Sequence, residues 1–190
     1  MNRTLAALMI SVAAMTATPS LAQAAKGPTA VVSPQPLPID DSRPRVFLGG
    51  SIDMGGAPDW QAAMTAALAD MDVVILNPRR PDWNPNWRPE ADEPEFRRQV
   101  EWELAALESA DVVVMYFAPG TQSPISLLEM GLHARGGKLI VLAPEGFWRK
   151  GNVDITAQAY GVKQVQSLPE LTAAVREALS DAASKGRFAR

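Results

Sequence analysis

One segment limits the folds open to this chain more than any other. Residues 110–131, ADVVVMYFAPGTQSPISLLEMG, begin with Asp111 and an apolar run from Val112 to Phe117, closed by Pro119 and Gly120. A run this short, β-branched at its start and without a polar face to give to water, predicts a strand covered on both sides in a parallel sheet. Ser123-Pro124 then has the form of a helix N-cap followed by proline at the first helical position. Three-and-four spacing puts Ile125, Leu128 and Leu132 on one face of that helix, and Glu129 falls on the same face. A carboxylate within an apolar stripe, just past a strand's C-terminal end, stands where open α/β sheets keep their ligand sites. The competing reading is a glutamate at the stripe's edge, paired in solvent with Arg135 or His133.

The remaining chain repeats the strand-then-helix pattern. Val46 to Leu48 predicts a first strand that runs into Gly49-Gly50-Ser51, and glycines there let backbone approach a ligand closely, although a tight turn explains them equally well. Asp59 caps a helix through Ala69 with Trp60, Met64, Ala67 and Leu68 inward, and Val73 to Leu76 is a second strand. Asn77-Pro78-Arg79-Arg80-Pro81 opens an irregular segment that reaches Pro94 and holds Trp83 and Trp87 among five prolines. Loops of that length inside compact domains tend to be lids or binding loops. Asn77, Arg79 and Arg80 directly follow a strand's C-terminal end, where arginines meet an anionic group or stack on a base; pairing with Glu90, Asp92 or Glu93 is the alternative. Phe96, Val100, Leu104 and Leu107 mark a helix stripe with Glu103 beside it. Lys138 to Ala143 is a fourth strand, residues 144–154 a polar and aromatic loop, Val162 to Val165 a last strand, and Pro169 to about Ala182 a final helix. Such alternation predicts an α/β domain, an open parallel sheet of about five strands with helices on both faces.

Composition narrows the function classes. The 47% hydrophobic share supports a proper core, and 21% charged residues argue against disorder. A net charge of −3 without a basic run speaks against nucleic acid as a partner. The chain has no cysteine and one histidine, which removes thiolate chemistry and multi-histidine metal sites. No G-x-G-x-x-G or P-loop pattern occurs. Met1-Asn2-Arg3, the apolar stretch Leu5 to Met15 and Ala22-Gln23-Ala24 have the layout of a signal peptide over residues 1–24, with an apolar core too short for a membrane span. The mature chain is then exported, periplasmic or secreted, with no membrane attachment. Residues 25–44, with four prolines before Pro44, read as an extended linker, and the domain proper as residues 45–190.

VFLGGS, NPRR, VEWE, SADVVV, SPISLLEMG and GNV, in that order between Arg45 and about Ile155, resemble the nucleoside 2-deoxyribosyltransferases, in particular their divergent 2-deoxyribosyltransferase-like branch. Deoxynucleoside 5′-monophosphate N-hydrolases are relatives of that family. The resemblance implies a flavodoxin-like fold, a homo-oligomer, a small-molecule nucleoside or nucleotide as substrate, and no cofactor. It makes Glu129 the nucleophile and Glu103, eight residues before Asp111, the acid at the leaving base. Asn152 resembles an asparagine that a neighbouring subunit contributes to the sugar site. Ser123 stands where the transferases carry an aspartate that contacts the base and the hydrolases carry serine. Phe47 replaces a tyrosine whose hydroxyl orients the nucleophile, a task left to Tyr116 or Trp102 if any group performs it.

Breaking an N-glycosidic bond builds positive charge at the anomeric carbon and negative charge on the base. One carboxylate can capture the carbon covalently while a second acid protonates the base, with the two groups roughly 5–6 Å apart. Burial and a like neighbour raise such pKa values, and a nearby helix N-terminus favours the charged form, so the expectation is an ionised Glu129 and a protonated Glu103. The loop Arg79 to Pro94 and Phe147-Trp148 are lid candidates. The resulting expectation is transfer of a deoxyribosyl group to an acceptor base; the alternatives are a deoxynucleoside 5′-monophosphate N-hydrolase, with Arg79 and Arg80 on the phosphate, and a non-catalytic nucleoside-binding module. Expression in a secreting host should yield a chain whose intact mass begins at Ala25; released protein that retains Met1 to Ala24 would defeat the leader assignment.

Overall fold

The computed structural model describes residues 27–52 and 56–185. Its elements run β1 (Thr29–Val32), β2 (Arg45–Gly50), α1 (Trp60–Ala67), β3 (Val74–Asn77), α2 (Pro94–Ser109), β4 (Val112–Tyr116), α3 (Pro124–His133), β5 (Leu139–Leu142), α4 (Lys150–Tyr160), β6 (Lys163–Val165) and α5 (Leu168–Lys185). The six strands pair in parallel in the order β1-β3-β2-β4-β5-β6. Helices cover both faces, which makes the fold a flavodoxin-like α/β domain. From β2 the chain steps outward to β3, then α2 carries it back past β2 to β4. The crevice beyond the ends of β2 and β4 is therefore the topological switch point.

Alternation within each strand divides the core in two. Val46, Leu48, Ile75, Val112 and Val114 face α1 and α5, where Trp60, Met64, Leu171, Val175 and Leu179 cover them. Phe47, Leu76, Val113, Met115 and Val141 face the other way, onto Trp102, Ala106 and Leu107 of α2, Met130 of α3 and Val153 of α4. Asp59 caps α1 by accepting the Ala62 N–H at 3.0 Å. Among the described residues no helix is long and apolar enough to cross a membrane. The leader expected over residues 1–24 lies outside the described residues.

Four expectations need correction. The sheet has six strands rather than five, because residues 29–32 of the expected linker form β1 and pair with β3. Side chains from the domain hold this proline-rich segment in place. Buried Arg45 donates through Nη2 to the carbonyls of Pro38, Ile39 and Asp41, and the Trp102 indole N–H donates to the Gln35 carbonyl at 2.7 Å. The ordered domain thus includes residues well before Arg45. The loop expected over 144–154 ends earlier, since α4 begins at Lys150; only Val153 and Ala157 of that helix are buried, too little apolar periodicity to announce it.

The other two corrections concern which helix faces turn inward. On α3, Ile125, Leu128 and Leu132 are exposed at 58%, 60% and 60%, while Ser126, Glu129 and Met130 are buried. On α2 the buried set is Gln99, Trp102, Ala106 and Leu107, with Leu104 turned outward. On α3 the apolar stripe and the inward face are offset, whereas on α2 Leu107 keeps its expected inward place and only part of the stripe turns away.

Gly50 has φ +131°, and a Cβ placed there would lie 2.2 Å from the Tyr116 carbonyl oxygen. That is backbone against backbone in the central ladder, with no flexible neighbour to give way. Gly50→Ala should destabilise the fold by on the order of 3 kcal/mol or more, read as a lower denaturant midpoint at unchanged slope.

Candidate active site

The end of β2 meets the start of α3 through a set of hydroxyls. Ser51 is fully buried; its Oγ accepts the Ala118 N–H at 2.8 Å and lies 2.7 Å from both Thr121 Oγ1 and Ser123 Oγ. Thr121 donates to the Ala118 carbonyl at 2.9 Å, and the remaining Thr121–Ser123 separation is 3.1 Å. Each hydroxyl has one proton. With that of Thr121 spent on Ala118, Ser51 must donate to Thr121 and Ser123 to Ser51, which leaves the longest contact without a proton. Ser123 occupies the N-cap position of α3 but holds a left-handed backbone (φ 46°, ψ 51°) and caps nothing with its side chain. Its hydroxyl, expected among the substrate-binding groups although it replaces the aspartate that contacts the base, is committed to this cluster. Ser126 Oγ, one turn on, donates to the Gly50 carbonyl at 3.0 Å and ties α3 to β2.

This seam brings Glu129 inward. The side chain is buried at 7% exposure, and among the described residues its carboxylate has no hydrogen bond or ion pair. The solvent pairing with Arg135 or His133 does not occur: Arg135 stacks on the Tyr160 ring at 4.3 Å and donates to its hydroxyl. Burial first, and then the charge of Glu103, push Glu129 up to about 8. Glu103, half-buried on α2, is pushed up to about 6 by burial, against a hydrogen bond from Gln99 Nε2 at 2.8 Å that favours its charged form. The two carboxyls expected to act as a pair therefore sense each other. Their resting order is the reverse of the expected one, with the proton on Glu129 and the charge on Glu103. Glu129 is the sixth residue of α3, beyond the first turn where the helix dipole acts, and among the described residues it lacks the donor that Glu103 has.

The other expected site residues fall into two groups. Asn77, Arg79 and Arg80 line a cavity of about 340 Å³ together with Ile52, Asp59 and Trp83. Arg79 is folded back on the approach to α1, 3.2 Å from the Ala57 carbonyl and 3.8 Å from Asp59, while Asn77 Oδ1 accepts the Arg79 N–H. Arg80 is buried; it forks onto Asp82 at 2.8 Å through two nitrogens, reaches Glu95 at 3.6 Å and lies 4.8 Å over Trp87, which meets Trp83 edge-on. Its charge is thus already matched, and its partners are Asp82 and Glu95 rather than Glu90, Asp92 or Glu93, which Arg88 holds.

Asn152 is exposed on α4, in a groove of about 300 Å³ with Leu127, Met130, Trp148 and Arg149, and that groove includes neither carboxylate. Phe47 is fully buried beneath the sheet's α2–α4 side, and Gly49 packs against it, so neither offers a surface to a ligand. Phe147 is likewise core, stacked 4.9 Å from Phe117; of the expected second lid only Trp148 is exposed. Tyr116 packs against Trp60 on the opposite face of the sheet, and the Trp102 N–H is spent on Gln35, so neither orients Glu129.

Gln99 and Thr121 were not among the expected site residues. The one signal for Gln99 was its place four residues before Glu103 on the same helix face; Thr121 had none beyond lying in the loop before α3. The profile of a family described as nucleoside 2-deoxyribosyltransferase like matches residues 43–147, which spans β2 to the end of β5 and includes both carboxylates. No curated protein matches the chain.

The raised pKa of Glu129 has a consequence for stability. An acid whose folded value of about 8 lies above its ordinary 4.5 favours the folded state fully below 4.5 and loses that contribution as pH rises through 8. Glu129→Gln should therefore change stability little at acidic pH and raise it by on the order of 2–4 kcal/mol above pH 8, measured by denaturant melts across pH. A pH-independent difference would show that Glu129 is not desolvated as described.

Proposed function

Because the chain belongs to the nucleoside 2-deoxyribosyltransferase-like family, we propose that it cleaves the N-glycosidic bond of a deoxynucleoside and passes the deoxyribosyl group to an acceptor base. The observation that carries this reading is the pair at the switch point: a buried Glu129, without a hydrogen-bond partner among the described residues, whose proton affinity depends on the charge of Glu103.

Glu129 is the nucleophile and Glu103 the general acid. As the C–N bond breaks, its electron pair leaves on the base nitrogen, which takes a proton from Glu103, and a Glu129 oxygen bonds to the anomeric carbon. In the return half an acceptor nitrogen displaces Glu129 and gives its proton to Glu103. Between about pH 6 and pH 8 the pair holds one proton. Chemistry needs that same single proton on Glu103, so no proton has to enter from solvent. The cationic character that develops beside Glu129 draws out its charged form and sends the proton across.

Two observations favour transfer over hydrolysis. Of the two arginines expected on a 5′-phosphate, Arg80 already spends Nε and Nη2 on Asp82 and Glu95, with only its buried Nη1 left without a partner among the described residues. It also pins Trp87 and through it Trp83, and although the cavity that Trp83 lines includes neither carboxylate, an aromatic loop held in this way suits one that closes over the crevice and shields a covalent intermediate from water. The exposed Ile125, Leu128 and Leu132 on α3 and the exposed Asn152 on α4 support a homo-oligomer in which Asn152 serves a neighbour's sugar site. Export of the mature chain is part of the same proposal.

With a deoxynucleoside and a labelled free base, base exchange should exceed release of free deoxyribose, and kcat/KM should rise through about pH 6 and fall through about pH 8. Glu129→Gln should lower kcat by about 10³-fold or more while the protein remains folded. Glu103→Gln should slow poor leaving bases most. Quantitative free sugar, unaffected by added base and faster from the 5′-monophosphate, would mean hydrolysis. Binding without consumption of any nucleoside would leave only a binding module.

A further inference from the structure

Gln99 joins three parts of the chain. Its Oε1 is 2.5 Å from Ser33 Oγ, and its Nε2 is 3.0 Å from the Pro78 carbonyl and 2.8 Å from Glu103 Oε1. The residue is 5% exposed and Ser33 is 3% exposed. Chemistry fixes the orientation of this amide. A carbonyl and a carboxylate on one side are both acceptors, so the NH₂ must face them, and Oε1 must then face Ser33, whose hydroxyl is left to donate. Both Gln99 N–H groups are used, and a flip would set acceptor against acceptor twice in a buried site.

We infer that Gln99 is a positioning residue for Glu103, held by Ser33, and that the segment preceding β2 is thereby a working part of the active site. This rests on the assignment of Glu103 as the general acid. Glu103 Oε1 is a committed acceptor of the Gln99 N–H, so the transferable proton belongs on Oε2, the oxygen away from Gln99. One side-chain torsion is thus settled before substrate arrives, and the donor arm of the acid is aimed rather than free to turn. Ser33 sits on the residue after β1, and its own N–H donates to the Asn77 carbonyl at 3.0 Å. The strand pairing of β1 with β3 therefore sets where the Ser33 hydroxyl stands, and the amide passes that placement to Glu103.

Among the described residues the charged surroundings of Glu103 are simple. Glu129, on α3, is close enough to feel its charge, and Arg97 and Arg98, on its own helix, are turned to Glu101 and Glu95. From the β1–β2 connection and the loop after β3 the groups that reach this bridge are the Ser33 hydroxyl and the Pro78 carbonyl, both neutral. Loss of the Gln99 donor should then register on Glu103 directly.

The test compares Gln99→Met, close in size but without the amide, with Ser33→Ala and Ser33→Thr, and follows the side-chain carboxyl carbons of ¹³C-glutamate-labelled protein through a pH titration. The Glu103 signal is assigned by its absence in Glu103→Gln. Gln99→Met should raise the Glu103 midpoint by about one pH unit, the size of one hydrogen bond to a charged group. Ser33→Ala should shift it the same way by less, and Ser33→Thr should restore it. In turnover, the acidic limb of the pH profile should move by the same amount, with kcat reduced and KM little changed. A Glu103 midpoint unmoved in folded Gln99→Met and Ser33→Ala overturns the inference. Failure of both variants to fold overturns it too, since the bridge is then a structural tie. Because the titration needs no substrate, the two failures are distinguishable: a shifted midpoint without turnover of any nucleoside would refute the assigned activity, and with it the catalytic role of the bridge, while showing that Gln99 does hold Glu103.

Discussion

The molecule is organised around the ladder between β2 and β4. Five residues of each strand pair in parallel, Val46 to Gly50 against Val112 to Tyr116, and nearly all are buried. This ladder is where the chain reverses its direction of travel across the sheet, so the loops beyond its C-terminal end diverge to opposite sides and leave a crevice. Everything at the candidate site is hung from it. Ser51 follows β2 and receives the Ala118 N–H from beyond β4, Ser126 reaches back to Gly50, and α3 is thereby set at the angle that turns Glu129 inward. The close approach of Gly50 to Tyr116 is the contact that admits no side chain.

Burial of two carboxyls in that crevice has an energetic cost, and the protein divides it unevenly. Gln99 gives Glu103 a donor; Glu129 has none among the described residues. The result is a pair with one proton near neutrality, stored on the group with the poorer environment for charge. Protonated at rest, Glu129 attracts no counter-ion, and in the reaction proposed above it gains its charge when a cationic centre forms beside it. The neighbouring arginines do not disturb this balance, because Arg79 is folded onto carbonyls and Arg80 is matched by Asp82 and Glu95.

Much of the architecture was legible in the sequence, for physical reasons that also explain the failures. Strands buried on both faces are continuous apolar runs, and Val112 to Phe117 or Leu139 to Leu142 can hardly be read otherwise. Helix faces were harder. Ile125, Leu128 and Leu132 form a clean stripe, but periodicity reports that a helix has an apolar side and not which surface meets it; here the sheet takes Ser126, Glu129 and Met130. That Glu129 would be buried was right for a partly wrong reason, since it was expected to share the face of the leucines and lies beside it. β1 was missed because four residues between prolines carry little pattern, and their order comes from pairing with β3, more than forty residues on, while Trp102 and Gln99 hold the residues that follow. The protonation order of Glu129 and Glu103 depends on a hydrogen bond from Gln99 that spacing alone does not reveal.

The position of β1 bears on the colloidal behaviour of the protein. A parallel sheet ends in two open edges, each a row of backbone donors and acceptors available to another molecule's strand. Here one edge is β6, three residues long with Lys163 at its start, and the other is β1, four residues long between Pro28 and Pro34. Prolines at both ends keep a foreign strand from extending the pairing along that edge. Beneath β1 lies β3, whose Val74, Ile75 and Leu76 are completely buried. A chain trimmed of residues 27–34 would expose that stretch as its new edge, apolar and uncharged, and its failing would be precipitation with its own copies before any loss of chemistry could be measured.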